Sequence, residues 1–112
     1  MPTQPSENIG SKLLFENERI RVWELAVAPG ETLDAHIHHN DYVYLVPDAG
    51  VLRFSDPDNP ANDHDHHFVN NEVRFVQVPS EGKVDNHITN VGDVFHRNYI
   101  VELLTPPQPS PS

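Results

Sequence analysis

The chain is a series of short segments with β-strand character that are separated by turn residues, and this pattern restricts the fold more than any other feature. Polar and apolar residues alternate in parts of these segments, and glycine, proline or aspartate stands between them. No stretch has a convincing helical period. The segments are residues 19–27, 32–38, 42–46, 51–54, 72–78, 83–91 and 94–104. Many short strands with such turns predict an all-β fold, either an antiparallel sandwich or a small barrel.

The two ends of the chain differ from this central part. Residues 1–11 are polar and contain two prolines, which predicts a flexible N-terminal arm. Residues 105–112 read TPPQPSPS, and so many prolines predict a disordered tail. We therefore expect a single domain over residues 12–104, since 112 residues suit one hydrophobic core.

The charge balance argues against two classes of partner. Seven Lys and Arg residues stand against 17 Asp and Glu residues, which gives a formal net charge of -10. Nucleic acids and anionic membranes attract clustered basic residues, and the chain has no such cluster.

The absence of cysteine excludes disulfides and thiolate metal sites. With no apolar run typical of a signal peptide or membrane span, we expect a cytoplasmic protein that binds a small molecule.

Residues 30–50, GETLDAHIHHNDYVYLVPDAG, contain a compact group of histidines. Residues two apart on a strand share a face, so His36 and His38 project together while Ile37 points away. Two imidazoles in this arrangement suit Zn, Fe, Ni or Cu. The structural alternative is an exposed polar strand in an acidic, histidine-rich chain. His39 has the other parity, and we expect it to face solvent or a neighbouring loop.

Two glycines and a third histidine extend this motif. Gly30 precedes the histidine pair, Gly50 closes the next strand, and residues 78–93, VPSEGKVDNHITNVGD, bring His87 after a Pro/Gly turn. From about residue 20 to residue 104 the pattern resembles the cupin superfamily, although two extra residues separate Gly82 from His87. The resemblance implies a cupin-type antiparallel β-barrel, or jelly roll, with the two motifs at its mouth. It also implies one divalent metal ion bound by His36, His38 and His87.

The fourth ligand departs from the family pattern. In most cupins three or four residues separate the second histidine from a glutamate, and Tyr42 and Val43 occupy the corresponding positions here. Asp41 lies one step earlier and is a candidate fourth ligand. Its position in a turn favours an Asx hydrogen bond to the backbone instead, so we prefer three neutral histidines with open positions. Such a site leaves a divalent ion its full charge, which favours an anionic or enolisable chelating substrate.

Five other residues are candidates for contacts with a substrate. Tyr42 and Tyr44 suit either the barrel core or the lining of a pocket, and we take them as candidate catalytic residues. Arg21, Arg53 and Arg74 all lie on predicted strands. One of them pointing inward would anchor a substrate carboxylate, but strand parity alone does not choose among the three.

The remaining histidines have a structural interpretation. Residues 55–67 are polar and are expected to form a surface loop with turn chemistry from Asp, Asn and Pro. The HDHH sequence at 64–67 falls within it, and a solvated loop or an adventitious surface site is the favoured interpretation. His96 on the last strand is expected in the core or on the surface rather than at a metal.

The resemblance implies a metal-dependent enzyme that acts on a small molecule. A dioxygenase is the leading hypothesis, with Fe(II) favoured over Zn, Ni or Mn, and with a dicarbonyl, catechol-like or carboxylate substrate. The alternatives are a metal-dependent lyase or isomerase, a non-catalytic metal- or ligand-binding module, and a barrel that has lost its metal. We expect a homodimer formed through edge strands.

Overall fold

The structure, a computed structural model, describes residues 12–56, 58–85 and 87–104. A short 3-10 helix at Pro60–Asn62 and eleven strands form the regular structure of these residues. In chain order the strands are β1 (Lys12–Glu16), β2 (Ile20–Val27), β3 (Thr32–Leu33), β4 (His36–His38), β5 (Tyr42–Val46), β6 (Gly50–Ser55), β7 (His64–Phe68), β8 (Glu72–Val76), β9 (Lys83–Asp85), β10 (His87–Asn90) and β11 (His96–Leu103).

The strands form three antiparallel sheets. The largest has the order β1-β2-β11-β5-β8, the second has the order β3-β10-β6-β7, and β4 pairs with β9 alone. Neighbours in the sheets are mostly distant in sequence, as when β11 lies between β2 and β5. The predicted all-β antiparallel barrel is confirmed.

The inner faces of the two larger sheets share one hydrophobic core. Alternation along β2 buries every second residue from Trp23 to Val27, and residues of β5, β6, β7, β10 and β11 complete the cluster. Its members are Trp23, Leu25, Val27, Tyr42, Val46, Leu52, Phe68, Ile88 and Ile100. This core closes part of the barrel and leaves a cavity beside the β4–β9 pair.

The predicted surface loop at residues 55–67 is wrong over its last part. Residues 64–67 lie in β7, which pairs with β6 from Phe54↔His64 to Gly50↔Phe68. Its inward residues His64 and His66 line a polar part of the cavity, so the apolar alternation that marks a half-buried strand is missing. The predicted strand at 83–91 is two strands, because β9 and β10 belong to different sheets.

Two further expectations concern the ends of the chain and the membrane. The predicted arm at residues 1–11 and the predicted tail at 105–112 lie outside the described residues. Within the described residues, no helix has the length and apolar character needed to cross a membrane.

Candidate metal centre

The β4–β9 pair brings two histidines and a carboxylate together. His36 and His38 are buried at the two ends of β4, on the same side of the strand. The strand register places His36 opposite Asp85 and His38 opposite Lys83. Because these side chains come from two paired strands, backbone hydrogen bonds fix their separation.

Gly82 allows β9 to approach β4 closely at this point. Its φ of 91° lies in the left-handed region, and its amide donates to the carbonyl of Pro79 at 2.9 Å to close the turn before β9. A Cβ at this position would lie 3.1 Å from Ile37 Cδ1 and 3.2 Å from the carbonyl oxygen of His38. Glycine is therefore required both by the backbone conformation and by the space beside β4.

Three potential ligand atoms form a nearly equilateral triangle. His36 Nε2 lies 3.1 Å from His38 Nε2, and Asp85 Oδ2 lies 3.2 Å from the former and 3.0 Å from the latter. Among the described residues, these three form the group whose ligand atoms are mutually close enough to hold one ion. An ion bonded at about 2.1 Å to three ligands at right angles holds the ligand atoms about 3 Å apart. The donor set therefore fits one face of a divalent ion's coordination shell.

The protonation states at this triangle suit a metal ion. Burial alone would raise the pKa of Asp85, but hydrogen bonds from His36 and His38 and the charge of Lys83 hold it well below its usual value. Burial lowers the pKa of His38, against the opposing effect of Asp85. A carboxylate that is ionised and an imidazole that favours its neutral form are the states that bind metals.

Tyr42 and Lys83 surround the triangle. The Tyr42 ring stacks on the His38 ring with centroids 4.2 Å apart. Lys83 Nζ donates to Tyr42 Oη at 3.2 Å and to Asp85 Oδ1 at 3.0 Å. Burial would lower the pKa of Lys83, but the charges of Asp85 and Tyr42 and the hydrogen bonds to both together outweigh it and raise that pKa. The ammonium group therefore neutralises the carboxylate oxygen that does not face the histidines.

The triangle forms part of the wall of a cavity of about 390 Å³. This volume falls in the range of small-molecule sites. Tyr42 and Tyr44, the two candidate catalytic residues, both line it, and their catalytic role stays a prediction. The rest of the wall combines apolar side chains with a few polar ones, the latter including His64, His66, Arg74 and Asn98.

A second carboxylate lies behind the far part of this wall. Glu72 is buried, and it accepts hydrogen bonds from Tyr44 Oη at 2.7 Å and from His66 Nε2 at 2.9 Å. The amide of Val69 donates to its other oxygen at 3.2 Å. Burial would raise the pKa of Glu72, but these three hydrogen bonds together lower it.

Solved structures share this arrangement of strands. A cupin domain from Bordetella pertussis superposes with a TM-score of 0.69 at 20% identity, covering 91% of this chain and 98% of that one. The chain has the cupin fold. An RmlC-like cupin from Methanocaldococcus jannaschii with a double-stranded β-helix fold matches at a TM-score of 0.60 and 13% identity, over 82% of this chain and 76% of that one.

A third structure shows the same fold. A conserved double-stranded β-helix protein from Klebsiella pneumoniae matches at a TM-score of 0.59 and 17% identity, over 91% of this chain and 81% of that one. No family model matches the sequence. No curated protein matches it either. At these identities the likeness establishes the cupin fold, and the chemistry has to be argued from the residues.

The other residues that the cupin resemblance suggested lie apart from the triangle. His87 begins β10 opposite Ser55 and is not a member of the three-residue group, and the next residue, Ile88, faces the cavity. Alternation therefore directs His87 away from the cavity, and its role as a ligand stays a prediction. Asp41 Oδ1 accepts a hydrogen bond from the backbone amide of Val78 at 2.8 Å, which is a distant partner and not the local one of an Asx turn, and the role of Asp41 as a ligand stays a prediction.

Asp85 is the functional candidate that the sequence analysis did not identify. The signal was present, because the cupin spacing places the third ligand two residues before His87, at position 85. The sequence-based prediction took the next histidine, His87, as the third ligand in place of this aspartate. A carboxylate can stand beside two histidines at a divalent ion, so an aspartate at this spacing is also a candidate ligand.

Proposed function

We propose that the protein binds a divalent metal ion through His36, His38 and Asp85 and uses it in an enzymatic reaction of a small chelating molecule. The observation that carries this proposal is the buried triangle of two imidazole nitrogens and one carboxylate oxygen, with sides of 3.0 to 3.2 Å. Two histidines and one carboxylate with open positions are typical of non-haem Fe(II) oxygenases. This ligand set supports Fe(II) as the metal and dioxygenation as the reaction.

The metal ion would supply Lewis acidity and a template for substrate and O₂. The chain's own residues would set the conditions around it. The charge of Asp85 reduces the net charge at the ion below that of a three-histidine site. The Lys83 ammonium, held by Asp85 and Tyr42, adds a positive charge beside it, which favours an anionic substrate. The apolar part of the cavity wall limits the access of water.

Tyr42 has the position of a group that orients the substrate. Burial, together with the nearby charge of Asp85, raises the pKa of Tyr42, so its hydroxyl stays protonated at neutral pH. The hydroxyl accepts from Lys83 Nζ, which leaves its own proton free to be donated. A substrate oxygen next to the metal centre would receive that hydrogen bond.

An oxygen-uptake assay tests this function. Protein loaded with Fe(II) is expected to consume O₂ with a small 1,3-dicarbonyl, catechol-like or thiol carboxylate substrate, whereas protein loaded with Zn(II) is not. His38→Ala serves as the blank, since it lacks one ligand. Uptake no greater than this blank across the panel would contradict the enzymatic proposal and favour a ligand-binding module. Equal turnover by the Zn(II) form under nitrogen would favour a lyase or isomerase.

We also propose that the protein is a homodimer formed through the outer face of its largest sheet. Alternation directs Val22, Val101, Val43 and Phe75 outward, and the strand register places them side by side across β2, β11, β5 and β8. In the next row Leu45 and Val73 are exposed neighbours. We call this apolar face the outer apolar rows. In a dimer with a twofold axis, the outer apolar rows of one protomer would pack against those of the other.

A further inference from the structure

A second polar region faces the cavity at some distance from the metal triangle. Tyr42, beside His38, and Tyr44 both line the cavity, and they lie two residues apart on β5. Arg74 is the partner of Tyr44 across the β5–β8 pair and also lines the cavity. Two residues of a strand span about 7 Å, so Arg74 lies roughly one such step farther along the wall than Tyr42.

Of the three arginines proposed from the sequence as substrate anchors, the structure favours Arg74. Arg21 pairs with Glu16 at 2.7 Å, and Arg53 binds both carboxylate oxygens of Asp65 at 2.7 and 3.1 Å. Neither of these two guanidinium groups lines the cavity. Arg74 does line the cavity, so it is the one of the three that can contact a bound molecule.

The guanidinium group of Arg74 is largely uncommitted. Among the described residues its one ion pair joins Nε to Glu72 Oε2 at 3.5 Å, which is longer than an ordinary N–H···O hydrogen bond. Glu72 does not depend on this contact, because Tyr44, His66 and a backbone amide already donate to it. Arg74 can turn its donors to a ligand without leaving a buried carboxylate unpaired.

The cavity wall also presents a polar group without a partner. Asn98 lines the cavity with only 8% of its surface exposed, and within the described part of the chain its Oδ1 has no hydrogen-bond partner. Buried polar groups are normally satisfied, because an unpaired one costs stability. Because an amide oxygen accepts hydrogen bonds, Asn98 indicates a polar ligand that carries a hydrogen-bond donor besides any acidic group.

Charge supports an anion in particular. Of the seven Lys and Arg residues, Lys83 and Arg74 line the cavity, although the chain as a whole carries a net charge of -10. Their charges are balanced by the neighbouring carboxylates Asp85 and Glu72. A divalent ion at the triangle would therefore leave the cavity with an excess of two positive charges at the ion, and Arg74 would add its guanidinium donors one strand step farther along the wall.

We propose that Arg74 binds the carboxylate of a small dianionic ligand whose other acidic end lies at the metal triangle. The inference rests on the proposed metal-dependent function and narrows its substrate to a class. The backbone step of about 7 Å from Tyr42, which stacks on His38, to Tyr44, which is opposite Arg74, is of the order of the length of a dicarboxylate of roughly four to six carbons. The planar guanidinium fork suits such a carboxylate, since it offers two parallel donors.

Calorimetric titration with glutarate and with butyrate, its monocarboxylate counterpart, tests this proposal. Zn(II)-loaded wild-type protein is expected to bind glutarate at least about tenfold more tightly than butyrate. Arg74→Gln should lose this preference, and Arg74→Lys should recover part of it. Arg53→Gln removes an arginine that does not line the cavity and should behave as wild type.

Two further measurements separate this inference from the metal site. A chelator titration should show that Arg74→Gln binds the metal ion as tightly as wild type does. Because this titration measures metal binding separately from glutarate binding, it would reveal a failure of the proposed metal site on its own. Metal-free wild type should still bind glutarate more tightly than metal-free Arg74→Gln. Equal glutarate binding by Arg74→Gln and wild type, no preference for glutarate over butyrate, or no glutarate binding would each overturn the proposal.

Discussion

His36 and Asp85 are direct partners across the β4–β9 pair, with Nε2 of the histidine 3.2 Å from Oδ2 of the carboxylate. They come from two motifs that are far apart in the sequence, and the strand register brings them together. The carboxylate of this site therefore comes from β9. The cupin pattern places a carboxylate ligand at the start of β5 instead, where Tyr42 and Val43 lie.

The turn before β9 gives a first prediction. Gly82→Ala is expected to destabilise the protein by about 1–2 kcal/mol, because an L-residue is disfavoured at a φ of 91°. The new methyl group would also press on Ile37 and on the backbone at His38, so metal affinity should fall with stability. Chemical denaturation and chelator titration measure the two effects.

Gly50→Ala is the matched control for that turn. A Cβ at position 50 meets no atom within 4 Å, and its φ is not positive. This variant should keep wild-type metal affinity. If Gly82→Ala did the same, the close approach of β9 to β4 would not be needed to position Asp85.

His96 gives a prediction about acid stability. Burial, with a smaller contribution from nearby His66, lowers the pKa of His96 from 6.5 to about 4. Between these values the unfolded chain binds a proton that the folded protein does not, so stability falls as the pH drops from about 6.5 to about 4. The full loss attributable to this one group is about 3 kcal/mol.

His96→Leu removes the titrating imidazole. The free energy of unfolding of this variant is therefore expected to fall less than that of wild type between about pH 6.5 and about pH 4. At neutral pH the variant should be at least as stable as wild type, since both ring nitrogens of His96 are buried without partners among the described residues. Denaturation of metal-free protein at several pH values measures this. His67→Leu is the control, because its ring is exposed, and a similarly reduced fall in both variants would refute the assignment to His96.

The outer apolar rows give a prediction about assembly. Phe75 is 59% exposed on the edge strand β8, and Phe75→Glu places a charge in the proposed dimer interface. Light scattering should find wild type as a dimer and this variant shifted to monomer. Val94→Glu, which changes an exposed residue outside those rows, should stay dimeric. A monomeric wild type, or a fully dimeric Phe75→Glu, would contradict the proposed interface.

Much of the fold is predictable because a half-buried strand needs alternating apolar residues. β2 and β11 carry parts of that pattern, β5 is a short apolar run bounded by turn residues, and each was predicted within a few residues of its observed bounds. β7 lacks it, because His64 and His66 face a polar cavity instead of the core. β1 was also missed: all five of its residues are exposed, so burial does not impose an alternating pattern on it.

The site was predictable only in part. The histidine pair follows from strand parity, because two residues of one strand share a face whatever the rest of the fold does. Asp85 stands where the cupin spacing places the third ligand, but its position beside the two histidines depends on the pairing of β4 with β9, which no local pattern specifies. Choosing Arg74 over Arg53 requires knowing which face of each strand lines the cavity, and the sequence alone leaves both faces open.

The central claim is that Asp85 completes the metal site with His36 and His38. Chelator competition on untagged protein tests it most directly, with metal affinity measured for Asp85→Asn, His87→Ala and Asp41→Asn. The carboxylate of Asp85 is a ligand in this account, so Asp85→Asn should lose more than about 100-fold in affinity, beyond the loss typical of residues that only support ligands. His87→Ala and Asp41→Asn should keep wild-type affinity. Wild-type affinity in Asp85→Asn together with a collapse in His87→Ala would contradict the account and restore the three-histidine site.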